Sequence, residues 1–195
     1  MNVIIDYNAG NITSLANALE SLGAKYRISS DPQEISAADR VLFPGQGHIA
    51  QAMKNLIERE LVDCIKNLRQ PFLGICVGAQ LLHELSEEGN TRGLEILPGT
   101  VKRFDASLGL KVPHMGWNTL DEIRNAPLMN GIEEGSYVYF VHSYACPVTE
   151  FTIAKASYGR GFAAISQKEN FYGMQFHPEK SGAIGLRLLK NFLEL

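Results

Sequence analysis

Pro71-Phe72-Leu73-Gly74-Ile75-Cys76-Val77-Gly78-Ala79-Gln80-Leu81-Leu82-His83-Glu84-Leu85 carries the strongest structural signal in this chain. Pro71–Leu73 together with Ile75 reads as a short buried strand. Ala79–Leu85 reads as a helix. Between them, Gly74-Ile75-Cys76-Val77-Gly78 places a nucleophilic residue between two glycines, the pattern of a nucleophile elbow joining strand to helix. The residue at the tip of such a turn is held in a strained conformation, and the glycines keep the space beside it free of side chains. Cys76 then projects above the sheet at the positive end of the following helix, where a thiol is expected to ionise more readily. A lone cysteine after an apolar run is commonly a small core residue. A core cysteine needs neither glycine, so the decision passes to whether a base lies elsewhere in the chain.

The far end supplies one. Phe171–Phe176 reads as a strand and ends in His177-Pro178-Glu179-Lys180-Ser181. The proline biases His177 toward extended geometry. His177 and Glu179, two apart, then project to the same side. A carboxylate beside an imidazole holds one ring nitrogen as a donor and leaves the other to face a thiol. Alone, His177 reads as a satisfied strand-end histidine and Glu179 as a solvated charge. With Cys76 they make a Cys-His-carboxylate set suited to covalent acyl transfer.

The remaining sequence supports an α/β fold with an open, mostly parallel central sheet. Val3–Asp6, Tyr26–Ser29, Val41–Phe43 and Phe72–Ile75 read as strands. They alternate with helices at Ile12–Leu22 and within Ala50–Leu68, which predicts helices on both faces. The second half is richer in strands: Val101–Phe104, Lys111–Val112, Tyr137–Val141, Thr152–Ala156, Phe162–Ser166 and Phe171–Phe176. These predict antiparallel additions to the sheet. Ser181 begins a last helix with Ile184, Leu188, Leu189, Phe192 and Leu193 on its apolar face. Ligand sites of open parallel sheets lie beyond the carboxyl ends of the strands. Pro44-Gly45-Gln46-Gly47, Cys76 and His177–Glu179 all follow strands, and are therefore expected to converge.

At 195 residues the chain is expected to form one domain, 1–195, since it has room for one substantial core. A net charge of −3 carries no nucleic-acid or membrane signature. The amino terminus lacks the pattern of a signal peptide, and Cys64, Cys76 and Cys146 form no CxxC pair. The expectation is a cytoplasmic protein without disulfides or zinc. No P-loop, metal-ligand cluster or dinucleotide fingerprint is present, so no cofactor and no metal are expected.

Gly74–Gln80 with Phe176–Glu179 closely resembles the class I glutamine amidotransferases, and the resemblance runs the full length of the chain. Pro44–Gly47, Pro113-His114-Met115-Gly116-Trp117-Asn118, Tyr139-Phe140-Val141-His142-Ser143-Tyr144, Lys180-Ser181, Asp6-Tyr7 and Gly10-Asn11 narrow it. They resemble the branch whose members are glutaminase subunits serving imidazole glycerol phosphate synthesis in histidine biosynthesis. One departure is Gln46, where the pattern more often has Val.

The resemblance implies hydrolysis of glutamine to glutamate and ammonia by Cys76, His177 and Glu179. The oxyanion would be held by backbone at Val77 and in Gly45-Gln46-Gly47. Gln80, Ser143 and Tyr144 would surround the bound glutamine. Asn11, Trp117, Tyr139 and Lys180 would lie toward a partner, a cyclase with a (β/α)₈ barrel that consumes the ammonia in a heterodimer. His142 is read as structural, and His48 and His83 as surface residues. Trp117 and Gln80 also have bland readings, as a core residue and an exposed helix residue. Three other functions compete: another glutaminase of the class, such as the one serving pyridoxal-phosphate synthesis; a non-catalytic binding subunit that keeps the fold; and a stand-alone γ-glutamyl hydrolase or cysteine peptidase. Lys180-Ser181 and Pro113–Asn118 disfavour the first.

Overall fold

The computed structural model describes residues 1–8 and 11–195; Gly10 of the amino-terminal motif lies outside them. In chain order, β1 (Asn2–Ile5) leads to α1 (Ile12–Ser21), β2 (Tyr26–Ser29) and α2 (Pro32–Ser36). Then come β3 (Arg40–Gly45), α3 (Ile49–Glu58), α4 (Leu61–Lys66), β4 (Phe72–Cys76) and α5 (Val77–Gln80). The second half holds β5 (His83–Ser86), β6 (Thr91–Arg92), β7 (Leu97–Arg103), β8 (His114–Thr119) and β9 (Tyr137–His142). It ends with β10 (Tyr144–Ala145), β11 (Thr152–Tyr158), β12 (Arg160–Lys168), β13 (Phe171–Met174) and α6 (Gly182–Leu193).

The main sheet has the order β11-β12-β13-β4-β3-β1-β2. From β13 to β2 the strands are parallel, while β12 pairs antiparallel with both β13 and β11. This is the expected mostly parallel sheet, but only β11 and β12 make its antiparallel addition: Phe171–Met174, expected among the antiparallel strands, is parallel to β4, and the strands expected at 101–104 and 137–141 pair in other sheets. The connection through α1 runs outward from β1 to β2, that through α2 runs back past β1 to β3, and that through α3–α4 continues in the same direction to β4. Right-handed crossovers therefore put α1 on one face and α2–α4 on the other. The contacts agree: α4 touches α2 and α3, whereas α1 and α6 both touch the turn at Pro178–Lys180. Being covered on both faces, the central strands are nearly continuous apolar runs, with Ile4, Ile5, Leu42, Phe43, Phe72 and Leu73 inaccessible to solvent. A four-stranded sheet, β10-β7-β5-β6, and a two-stranded ribbon, β8-β9, lie apart from the main sheet in the pairing.

Four local expectations are corrected. The helix after the elbow stops at Gln80 instead of running to Leu85. The carbonyls of Leu81 and Leu82 accept from the amides of Leu94, Ile96 and Leu97, so they are taken by the neighbouring segment and not by a further helical turn. His83–Ser86 then pairs with β7 as a strand, which buries His83; its Nδ1 lies 2.9 Å from the Pro98 carbonyl, and it is no surface residue. The helix within Ala50–Leu68 is two helices, broken where Glu60 adopts φ 57°. Lys111–Val112 forms no strand. Pro113 has no N–H to continue a ladder, and pairing starts after it, at His114. Pro32–Ser36 is a helix the strand–helix alternation did not announce, although its start was written locally. The Asp31 side chain accepts from the Gln33 amide, with Pro32 at the first helical position.

Candidate active site

The site is built at the carboxyl ends of β3, β4 and β13, three adjacent strands. Gly45 at the end of β3 is the register partner of Cys76 at the end of β4. Met174 of β13 pairs with Ile75, which brings His177 to the same edge. Cys76 has φ 54° and ψ −108°, a backbone state that side-chain-bearing residues rarely adopt. The glycines on either side permit the close approach that this turn demands. A Cβ on Gly74 would stand 2.4 Å from the Gly78 carbonyl oxygen, and one on Gly78 would stand 2.3 Å from that of Phe43. Cys76 is 5% exposed and faces a cleft of about 250 Å³. The α5 helix behind it is a single turn, so its dipole is short.

His177 borders the same cleft, and its Nδ1 is 2.8 Å from Glu179 Oε1. The Glu179 carboxylate accepts only, so Nδ1 carries the proton and Nε2 is left for the thiol. Burial works against a charged ring here. Cys76 and Glu179 outweigh it, and together they raise the His177 pKa to about 10. The imidazolium is thus favoured beside the sulfur. Glu179 is itself buried, and its Oε2 has no protein partner.

The opposite wall comes from Gln80 and the segment between β9 and β10. Gln80 is buried, not exposed as its helix position alone implied. Its Nε2 donates to the Tyr144 carbonyl at 2.9 Å and to Gln175 Oε1 at 3.3 Å. Ser143 and Tyr144 line the cleft beside His142. Gln46 and Gly47 form its rim; Gly47 has φ 90°, while Gly45 is fixed in the sheet. Glu88 is a lining residue that sequence reasoning missed. Its Oε2 accepts from the Ile49 amide at 2.8 Å, tying it to the helix that follows the Gln46–Gly47 loop. Nothing in Glu87-Glu88 says locally which of the two glutamates turns inward.

Of the residues assigned to a partner face, Trp117 and Tyr139 lie on the β8–β9 ribbon, Lys180 lies on the turn that contacts β9, and Asn11 lies at the start of α1. Trp117 is 55% exposed, not core, and its ring lies 5.9 Å from that of the half-buried Tyr139, centre to centre, with the two planes nearly perpendicular. Alternation puts the exposed Met115 and Tyr137 on the same ribbon face. Lys180 is exposed. Asn11 caps α1, its side chain accepting from the Ser14 amide. The backbone of Tyr139 is bonded to the turn that carries His177: its carbonyl accepts from His177 N at 3.0 Å, and its amide donates to Ser181 Oγ at 2.9 Å.

A wider groove of about 780 Å³ between residues 123–132 and the end of α6 is lined by no cysteine or histidine. Among the described residues no group of three His, Cys, Asp or Glu side chains could hold a metal ion, and no helix is long and apolar enough to cross a membrane.

A strained cysteine elbow, a carboxylate-held histidine and a parallel sheet that joins them define a class. The family profile of glutamine amidotransferase class-I matches residues 3–195, and the chain belongs to that family. Within it, the chain is 48% identical to the imidazole glycerol phosphate synthase subunit HisH of Vibrio cholerae, covering 99% of this chain and 98% of that one. The subunits of the same name from Archaeoglobus fulgidus and Bacteroides fragilis are 48% and 50% identical, over 100% and 98% of this chain and 98% of each relative. The fold matches that of a putative GMP synthase subunit from Thermoplasma acidophilum, with TM-score 0.75 at 22% identity over 100% of this chain and 92% of that one.

Proposed function

We propose that the chain is the glutaminase subunit of an imidazole glycerol phosphate synthase. It would release ammonia from glutamine for a cyclase partner with a (β/α)₈ barrel. The observation that carries the chemistry is the meeting of Cys76 and His177 at one cleft, with His177 held by Glu179 at 2.8 Å. The full-length similarity to HisH subunits favours this branch over other glutaminases of the family.

Cys76 attacks the side-chain amide carbon of glutamine. Negative charge then develops on the carbonyl oxygen. The Val77 N–H, next after the nucleophile, is one donor to it, and the Gly45-Gln46-Gly47 backbone supplies a second. The His177 imidazolium gives its proton to the leaving nitrogen, so ammonia departs and a γ-glutamyl thioester remains. Water attacks the thioester, His177 takes back a proton, and glutamate leaves. Glu179 holds the ring throughout. Gln80, Ser143 and Tyr144 form the wall against the substrate. Among the described residues Glu88 is the one carboxylate lining the cleft, which suits it to the substrate α-ammonium. Ammonia is largely protonated in neutral water and then no longer nucleophilic. Passage through an interface at Asn11, Trp117, Tyr139 and Lys180 would keep it neutral until the cyclase forms imidazole glycerol phosphate and the aminoimidazole-carboxamide ribotide.

The test is Cys76→Ala in the assembled synthase. Glutamine-dependent synthesis should vanish, while synthesis from added ammonium salt continues. A glutamine-analogue electrophile should label Cys76 and spare Cys64 and Cys146. Retained glutamine-dependent turnover in the variant would remove Cys76 from the mechanism.

A further inference from the structure

We propose that His114 and His142 are positioning residues for glutamine, forming with Asn118 a hydrogen-bond relay of one fixed proton direction that ends on the Tyr144 carbonyl. The proposal deepens the glutaminase reading and rests on it.

The direction follows from what each atom can do. His142 Nδ1 is 2.8 Å from the Tyr144 carbonyl oxygen, which only accepts, so Nδ1 carries the proton. In a neutral ring Nε2 is then an acceptor. It lies 3.0 Å from His114 Nδ1, which must therefore donate. His114 Nε2 is left as an acceptor, 3.4 Å from Asn118 Nδ2. The Asn118 amide cannot be reversed. Its Oδ1 accepts from the Thr119 amide at 2.8 Å, and its Nδ2 also donates to the Ser157 carbonyl at 2.9 Å. Every proton in the chain thus points toward Tyr144.

The surroundings suit neutral rings. His114 is stacked between Tyr158 and Phe140, at 4.1 and 5.0 Å between ring centres. His142 meets the rings of Phe104 and Phe162, each at 5.1 Å. Burial pulls both imidazoles well below their usual range, to about 4 for His114 and about 3 for His142. His142 also faces His177 across the cleft, and a neutral ring there does not repel the imidazolium that the mechanism uses.

At its end the relay meets the substrate wall. The Tyr144 carbonyl accepts from His142 and, at 2.9 Å, from Gln80 Nε2, so both of its lone pairs are occupied. The Ser143 carbonyl is taken by the Phe104 amide at 3.0 Å. The peptide groups of Ser143 and Tyr144 are thereby pinned, and Gln80 is oriented from the same point. Neither histidine need touch the reacting atoms for this.

The experiment is nitrogen NMR of the side chains of the chain co-purified with its synthase partner at pH 7, followed by glutamine kinetics of two variants. Both histidines should be neutral with the proton on Nδ1. An Nε2–H tautomer or an imidazolium at either residue would overturn the relay, and this readout needs no variant. His142→Asn places an amide nitrogen near Nδ1, keeps the donor to Tyr144 and should hold the glutamine KM within about threefold. His142→Leu loses that hydrogen bond and should raise KM about five- to tenfold, with kcat nearly unchanged. Equal KM values in the two variants, or a loss confined to kcat, would also overturn it. If His142→Leu does not fold, the tautomers and His142→Asn decide. Absence of glutamine turnover by the unmutated complex would instead remove the glutaminase reading, with the tautomers still readable.

Discussion

Gly45 and Cys76 stand side by side as register partners at the ends of adjacent parallel strands, so the loop proposed to stabilise the oxyanion starts beside the proposed nucleophile. A Cβ on Gly45 would lie 2.2 Å from the Gly78 amide nitrogen and 2.8 Å from Val77 Cβ. Gly45→Ala must therefore push the elbow away from β3. We expect it to cost about 1–3 kcal/mol of stability, as overpacking does, and to abolish glutamine turnover. Gly47→Ala meets no atom within 4 Å but must hold φ 90°. It should cost about 1–2 kcal/mol and reduce turnover without unfolding the chain. Thermal unfolding and steady-state assays of the two variants check both statements.

Glu179→Gln keeps an oxygen that can accept from His177 Nδ1 and removes the charge. Acylation should slow by about 10²–10⁴, with glutamine binding largely intact. The carboxylate is one cause of the raised His177 pKa, so the ring should lose its proton at a pH lower than about 10. A raised histidine pKa stabilises the fold fully below the ordinary value near 6.5 and loses that contribution as pH rises through about 10. The stability gap between variant and parent should therefore be present at pH 6 and close above pH 10. Pre-steady-state thioester formation and melting at the two pH values provide the measurement. Abolished binding with normal chemistry would instead assign Glu179 to substrate contact.

His114 and His142 have the opposite sign. Their folded-state pKa values are lowered to about 4 and about 3. Below the ordinary value the unfolded chain takes up protons that the folded chain refuses, so stability falls as pH falls. Two such groups predict a slope of about 2–3 kcal/mol per pH unit between roughly pH 6 and pH 4. His142→Asn should about halve it. Denaturant titrations across that range are the check, and an unchanged slope in the variant would contradict the assignment.

The isolated chain is expected to be a poor glutaminase that its ligand-bound partner switches on. Gly45 is fixed in the sheet, so the adjustable part of the loop is Gln46–Gly47, which is exposed at the cleft rim. The ribbon proposed to meet the partner is bonded through Tyr139 to His177 and Ser181. Partner contact thus has a short route to the site. Moving the site from mostly inactive to mostly active needs about 5.5 kcal/mol of differential binding. Glutaminase rates with and without partner and partner ligand measure this, and full turnover by the chain alone would rule the switch out.

Features that depend on near neighbours along the chain are legible in the amino-acid sequence. The elbow was legible because Gly74 and Gly78 stand at fixed offsets from Cys76, and His177–Glu179 because two residues across a proline project to one side. The parallel sheet followed from strands alternating with helices. Tertiary structure decided what depends on pairing between distant segments. Leu81–Ser86 has the local pattern of a helix. It leaves the helix because the segment around Leu94–Leu97 takes its carbonyls and β7 pairs with it, an outcome set by residues a dozen positions away. Trp117 is exposed and His83 buried for the same reason: which face of a strand is covered depends on what packs there, not on the side chain's own polarity. Glu88 turned inward through a hydrogen bond to the Ile49 amide, 39 residues distant in the chain. The proton direction through His114 and His142 exists only because β8 and β9 place the two rings opposite each other, with the acceptor-only Tyr144 carbonyl at the end.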